Sequence, residues 1–140
     1  MTTIAYRDAV MASDSSCWEG GTNAHSMRKI WRVHGCLIGC SGAVCDINSF
    51  IQWVKSGADE DEFPKMKSLS ALVVKPGGKI LCYEESGKLP IEVKGTYCAI
   101  GSGTSVALGA LFQGATAAQA VRAARAHDQC TAGRVVSVKL

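Results

Sequence analysis

Long apolar runs are missing from this sequence. No stretch approaches the roughly 18 to 20 residues that a membrane-spanning helix requires, so no membrane partner is expected. The opening residues lack a basic segment leading into an apolar one, so no secretory signal is read there and a cytoplasmic location is expected. Neither sign of charge dominates. Net charge is +3 and the lysines and arginines are scattered, whereas a nucleic-acid footprint needs a concentrated basic patch. No nucleic-acid partner is expected. The one charge block, Asp59-Glu60-Asp61-Glu62, is short and reads as an exposed loop after a helix. Low-complexity tracts, internal repeats and linkers are absent too. A chain of 140 residues with 47% hydrophobic content can bury a core, and residues 1–140 are read as one domain.

Cysteine is plentiful by comparison. An odd number, 7, without a secretory signal argues for reduced thiols rather than a disulfide framework. Cys36, Cys40 and Cys45 crowd together, but their spacing is not the doubled pairing of a structural zinc site. They lie among Leu37, Ile38, Gly39 and Ala43, which reads as a buried strand and its turn. No metal and no cofactor are expected. His25, His34 and His127 accompany no nucleophile-elbow motif, which leaves a serine or cysteine protease ranked low.

Alternating apolar residues predict two strands between Thr2 and Ser13 about a turn at Arg7-Asp8. Ser15 to Asn23, with adjacent glycines, reads as a loop. A second hairpin follows, Met27 to Val33 and Cys36 to Ser41, about His34-Gly35. Asp46 is a plausible N-cap for a helix in which Ile47, Phe50, Ile51 and Val54 recur at helical spacing. Leu69 to Lys75 and Lys79 to Tyr83 form a hairpin about Pro76-Gly77-Gly78. A strand at Thr96 to Ile100 precedes two helices, Thr104 to Phe112 and Thr116 to about His127, and Arg134 to Lys139 is a last strand. Hairpin connections make this α+β with antiparallel sheets. Two such sheets with helices on each side would form a four-layer αββα sandwich.

Thr2 follows the initiator methionine directly, and small second residues generally permit methionine removal. Thr2 would then carry a hydroxyl and a primary α-amine on one residue. That amine has an ordinary pKa of about 7.7 to 8, close to the pH at which it would act as a base. A threonine hydroxyl is a weak nucleophile and needs such a base. The dipeptide alone is weak evidence, and other residues must carry the case.

Thr2-Thr3-Ile4 leading through Val10-Met11-Ala12-Ser13-Asp14 resembles the start of proteasome β-subunits and the bacterial HslV-type peptidase, the N-terminal threonine (Ntn) hydrolases. Lys29 in Met27-Arg28-Lys29-Ile30 matches the lysine that the family's acid orients, which makes Asp14 that acid. Gly39-Cys40-Ser41-Gly42-Ala43-Val44-Cys45-Asp46 resembles the family's strand, glycine turn and helix start. Ile100-Gly101-Ser102-Gly103 resembles its serine turn, and Asp128-Gln129-Cys130-Thr131-Ala132-Gly133 its acid and hydroxyl segment.

The resemblance implies a threonine endopeptidase with Thr2 as nucleophile and Lys29, Asp14, Ser102, Asp128 and Thr131 around it. It makes the Gly42 N–H the oxyanion donor, with Cys40 and Val44 lining the substrate pocket and Cys17 and Asn23 near it. It further implies a polypeptide substrate, a homo-oligomeric ring and an ATPase unfoldase as partner. Two departures stand out. Phe63-Pro64 follows the first helix almost at once, where the family has a second long helix, and Thr131 stands where serine is more common. A ring or scaffold subunit without activity, and an Ntn hydrolase acting on a small amide, are the alternative functions.

Overall fold

The computed structural model describes residues 2–140, without the side chains of residues 23 and 24. Met1, whose removal is expected, and the Asn23 side chain lie outside the described residues. Strands β1 (Thr3–Arg7) and β2 (Val10–Ser13) form a hairpin whose turn is shifted one residue from expectation. Asp8 and Ala9 hold it, with φ of 51° and 61°. Two consecutive positive φ values twist the turn in the sense that flanking strands require.

The expected loop after Ser15 is instead a second hairpin, β3 (Ser16–Glu19) and β4 (Thr22–Ser26). Gly20 and Gly21 supply positive φ for a tight turn, and so connect strands rather than mark irregular chain. Next come β5 (Ile30–Val33), β6 (Cys36–Gly42) and helix α1 (Val44–Lys55). Asp46 does not cap that helix, since Ala43 occupies the cap position. The Asp46 carboxylate accepts the N–H groups of Lys67 (2.9 Å) and Ser68 (2.8 Å), anchoring the entry to the following strand.

Between α1 and that strand stands one 3-10 turn, Glu60–Glu62, capped by Asp59, whose carboxylate accepts the Asp61 N–H. The acidic run is exposed, as read from the sequence. β7 (Leu69–Val74), β8 (Ile80–Glu84), β9 (Gly87–Val93) and β10 (Tyr97–Gly101) follow. Strand β9 was not foreseen. Helix α2 (Thr104–Phe112), helix α3 (Ala117–His127) and strand β11 (Val136–Lys139) complete the order. At α3, Thr116 and Gln119 form a reciprocal capping box, in which each side chain satisfies the other's free N–H.

The long strands sort into two antiparallel sheets, β10-β1-β2-β11 and β5-β6-β7-β8-β9, beside the β3-β4 ribbon. Side-chain alternation divides their residues among three apolar layers. Ile4, Tyr6 and Met11 meet Leu37, Leu72, Val74 and Ile80 between the sheets. On the opposite face of β1 and β2, Ala5 and Ala12 lie under Ala107, Ala117, Ala120 and Val121 of α2 and α3. Ile38, Cys40 and Val73 on the outer face of the other sheet receive Ile47, Phe50 and Trp53 of α1. The result is the expected order of helix, sheet, sheet, helices. Alanines on both sides of the α2/α3 contact let the helices sit close to the strands. Arg7 fixes α2 further, donating to the carbonyls of Leu111 (2.6 Å) and Ala115 (2.9 Å) while lying over the Tyr97 ring.

Gly39 marks a close approach of the sheets, because a Cβ there would lie 2.6 Å from Ile4 Cγ2 and 2.9 Å from Met11 Sδ. Gly39→Ala is therefore expected to destabilise the fold by about 1 to 3 kcal/mol. Gly109, in α2 with open space around it, should respond oppositely, Gly109→Ala adding about 0.8 to 1 kcal/mol. Urea unfolding midpoints of the two variants check both signs.

Candidate active site

Asp14 follows the end of β2 and is fully buried. A carboxylate without water needs both hydrogen bonds and a counter-charge. Thr3 N–H (3.0 Å), Ala132 N–H (3.2 Å) and Ser16 N–H (3.4 Å) all donate to it. Lys29, 1% exposed, lies with Nζ 3.1 Å from each carboxylate oxygen. Burial pulls the Lys29 pKa below the ordinary lysine value, against the charge and hydrogen bonds of Asp14. Burial prevails because it penalises the charged form directly.

A second polar cluster forms on Ser102, Asp128 and Thr131. Thr131 Oγ1 donates to Asp128 Oδ2 at 2.5 Å. Its proton is thereby committed, so the 2.5 Å contact between Thr3 and Thr131 has the Thr3 hydroxyl as donor. Ser102 Oγ donates to Asp128 Oδ2 at 2.7 Å and stands 3.4 Å from the Thr2 carbonyl. Partial burial would raise the Asp128 pKa, but the hydrogen bonds of Thr131, Ser102 and the Cys130 backbone bring it below the ordinary carboxylate value.

The glycines around Ser102 have steric reasons. Gly101 has φ of 100°, and a Cβ on it would fall 1.9 Å from the Thr2 carbonyl oxygen. A Cβ on Gly103 would fall 2.1 Å from Thr3 Oγ1. Gly101 thus brings the turn against the Thr2 backbone at a distance that excludes a side chain, and Gly103 leaves room for the Thr3 hydroxyl. Gly42 stands at the end of β6 with φ of 133°, where a Cβ would meet the Ser68 carbonyl oxygen at 2.1 Å.

Thr2 is 3% exposed. Thr2, Lys29, Gly42 and Val44 share one cavity of about 120 Å³. Asp14 stands behind Lys29, and Ser102, Asp128 and Thr131 stand along the Thr2–Thr3 backbone; these four do not line the cavity. Cys40 does not line it either. It is fully buried under α1, where loss of hydration raises its thiol pKa. Sequence reasoning missed Ser16, Trp18, Met27, Ala43 and Ile47, which complete the walls together with Cys17. Reading Gly20-Gly21 as a hairpin turn would have placed the first of these on a strand. An adjoining, mostly apolar recess of about 500 Å³ shares Cys17, Trp18, Met27 and Val44 and adds Glu19 and His25. Among the described residues, no group of three or more His, Cys, Asp or Glu side chains could hold a metal ion. No helix among them is long and apolar enough to cross a membrane.

No protein-family profile matches the sequence, and no curated protein matches it either. Solved structures do. BPH of Thiobacillus denitrificans, in complex with epoxomicin, is similar with a TM-score of 0.71 at 19% identity, over 99% of this chain and 97% of that one. A second structure of BPH from the same organism gives 0.68, also at 19% identity, over 99% and 96%. Eukaryotic HslV from Trypanosoma brucei gives 0.70 at 17% identity, over 99% of both chains. At such identities the likeness is one of fold, and the chain has the α+β fold of HslV, with antiparallel sheets.

Two outcomes follow from the polar clusters. Lys29→Met strands a buried carboxylate, and urea unfolding is expected to show a loss of about 3 to 5 kcal/mol. Asp128, with its folded pKa depressed, stabilises the fold fully above about pH 4, and that contribution is lost as pH falls through the lower folded value. Thermal midpoints of Asp128→Asn, followed from about pH 5 down to pH 2, should fall less steeply than those of the wild type.

Proposed function

We propose that this chain is an N-terminal threonine peptidase that hydrolyses peptide bonds, with Thr2 as nucleophile after removal of Met1 and residues 1–140 as one Ntn-hydrolase domain. The observation that carries the reading is the cavity shared by Thr2, Lys29 and Gly42, with Lys29 held by Asp14. The fold of HslV and BPH supports it.

In this reading Thr2 Oγ attacks the scissile carbonyl while its own α-amine takes the hydroxyl proton. A neighbouring ammonium on Lys29 lowers the pKa of that amine, keeping it free to accept. Asp14 orients the ammonium through charge-assisted hydrogen bonds. The Gly42 N–H donates to the oxyanion, a contribution worth about 3 to 4 kcal/mol where such a donor has been removed from a protease. The amine then protonates the leaving nitrogen, and water attacks the acyl-enzyme. Ser102, Asp128 and Thr131 position Thr2 by holding the backbone that carries it.

The pocket walls suit an uncharged substrate side chain. Val44, Ala43, Ile47 and Met27 are apolar, and the recess beyond Trp18 extends that character. Cys40 acts behind this wall through packing. A homo-oligomeric ring, fed by an ATPase unfoldase, belongs to the same reading, as does action in the cytoplasm.

The test begins with the mass of protein made in its own cells. Loss of Met1 is expected. Wild-type protein should cleave unstructured polypeptides and gain the mass of epoxomicin on the peptide that begins with Thr2. Thr2→Ala should lose both properties, and Thr2→Ser should keep measurable activity. Retained Met1 in every copy, or turnover unchanged in Thr2→Ala, would sink the proposal.

A further inference from the structure

Three side-chain polar atoms among the described residues are buried without a hydrogen-bond partner: Ser13 Oγ, Ser16 Oγ and Trp18 Nε1. Two of the three belong to residues that line the cavity of about 120 Å³ holding Thr2. A fold leaves few such groups, because each has given up its hydrogen bonds to water and gained none. Ser16 is 2% exposed, and its backbone N–H donates to Asp14. Its hydroxyl takes no part in that contact. The Trp18 ring is half-buried and also walls the adjoining recess with His25, Met27 and Val44.

The remaining walls decide what kind of group fits. Met27, Ala43, Val44 and Ile47 are apolar and suit a methylene stem. Lys29 is the charged residue of the lining, and Asp14 already matches it at 3.1 Å. A carboxylate head would lose its hydration beside an ammonium that is already neutralised. A second ammonium or a guanidinium would be repelled by the first. The head group must therefore be neutral. An indole N–H only donates, whereas a hydroxyl both donates and accepts. A carboxamide serves the two together, because its oxygen accepts and its NH₂ donates.

We propose, on the premise that the chain is a threonine peptidase, that Ser16 and Trp18 form a polar subsite. It selects an amide side chain, that of glutamine or asparagine, on the substrate residue whose carbonyl is attacked. Thr2 and Gly42 line the same cavity as Ser16 and Trp18. The residue that presents its carbonyl to the first two therefore lays its side chain against the second two. Its stem lies along Val44 and Ile47, its amide oxygen accepts the Trp18 N–H, and its amide nitrogen donates to Ser16 Oγ. Methionine has a similar unbranched stem but no amide, and it leaves both groups without partners. A site built on hydrogen bonds rejects the analogue that lacks them more strongly than an apolar pocket rejects a polar isostere.

Turnover is measured on fluorogenic tetrapeptides alike except for glutamine, methionine, glutamate or lysine before the scissile bond. Glutamine is expected to lead methionine in kcat/KM by about tenfold or more, with both charged residues below it. Calorimetric titration of Thr2→Ala with the uncleaved glutamine and methionine peptides should give the same order of affinity. Ser16→Ala and Trp18→Phe each remove one polar group at little change of shape, and Ser16→Ala keeps the N–H that Asp14 accepts. Each should lower the glutamine-to-methionine ratio about fivefold or more in both measurements, and the double variant should prefer methionine. A wild type that uses glutamine no better than methionine, or better on either charged peptide, overturns the subsite. So does a glutamine preference that survives in the double variant, or the absence of both turnover and binding. Thr2-dependent turnover in the first two cases leaves the peptidase standing. Glutamine-selective binding without any wild-type turnover removes the peptidase and keeps the subsite.

Discussion

A carboxylate sealed from water imposes its needs on whatever surrounds it, and Asp14 meets them from widely separated parts of the chain. Its oxygens take N–H groups from β1, from the start of β3 and from Ala132 ahead of β11, and its counter-charge comes from Lys29 beside β5. One side chain thereby joins both sheets and the ribbon at the end of the sandwich where Thr2 lies. Breaking such a pair costs far more than the pair contributes over a hydrophobic replacement, so its presence in this fold points to position rather than to stability. What it positions is the lysine ammonium at the wall of the cavity.

The sandwich supplies the rigidity that this arrangement needs. Bulky side chains fill the space between the sheets, and alanines fill the space under α2 and α3. The same alternation that makes Ile4 a core residue between sheets turns Ala5 toward the helices. Thr3, one residue earlier, reaches the Thr131 hydroxyl. The geometry at the start of β1 is thus an extension of strand register, and slipping β1 by one position would exchange every one of these contacts.

Much of this was legible in the residues. Period-two alternation located β1 and β2, turn residues at His34-Gly35 and Pro76-Gly77-Gly78 located β5 to β8, and the start of α3 was read at Thr116. The polar residues at Asp14, Lys29, Ser102, Asp128 and Thr131 were legible as a set through family likeness, and the structure gathers them into two clusters flanking Thr2. What stayed hidden depended on distant partners. Asp46 has the chemistry of a helix cap, but its acceptors are claimed by N–H groups at Lys67 and Ser68, which no local pattern reveals. Strand β9 carries Pro90 and exposed Leu89 and Ile91, an edge composition that weakens any strand signal. Family likeness placed Cys40 at the pocket, yet alternation along β6 turns it under α1.

The turn that wraps Thr2 carries a further implication for the order in which this end of the sandwich is assembled. Gly101 and Ser102 touch a residue a hundred positions earlier, and Thr3 finds its hydroxyl partner 128 positions away. Contacts of such separation form late, after the loop entropy of the intervening chain has been overcome. A nascent polypeptide still missing Asp128 and Thr131 can build the first hairpin, but it has nothing to lock the Thr2 backbone in place. The Thr2 backbone is therefore fixed only when the fold is complete, because its partners come from the far end of the chain.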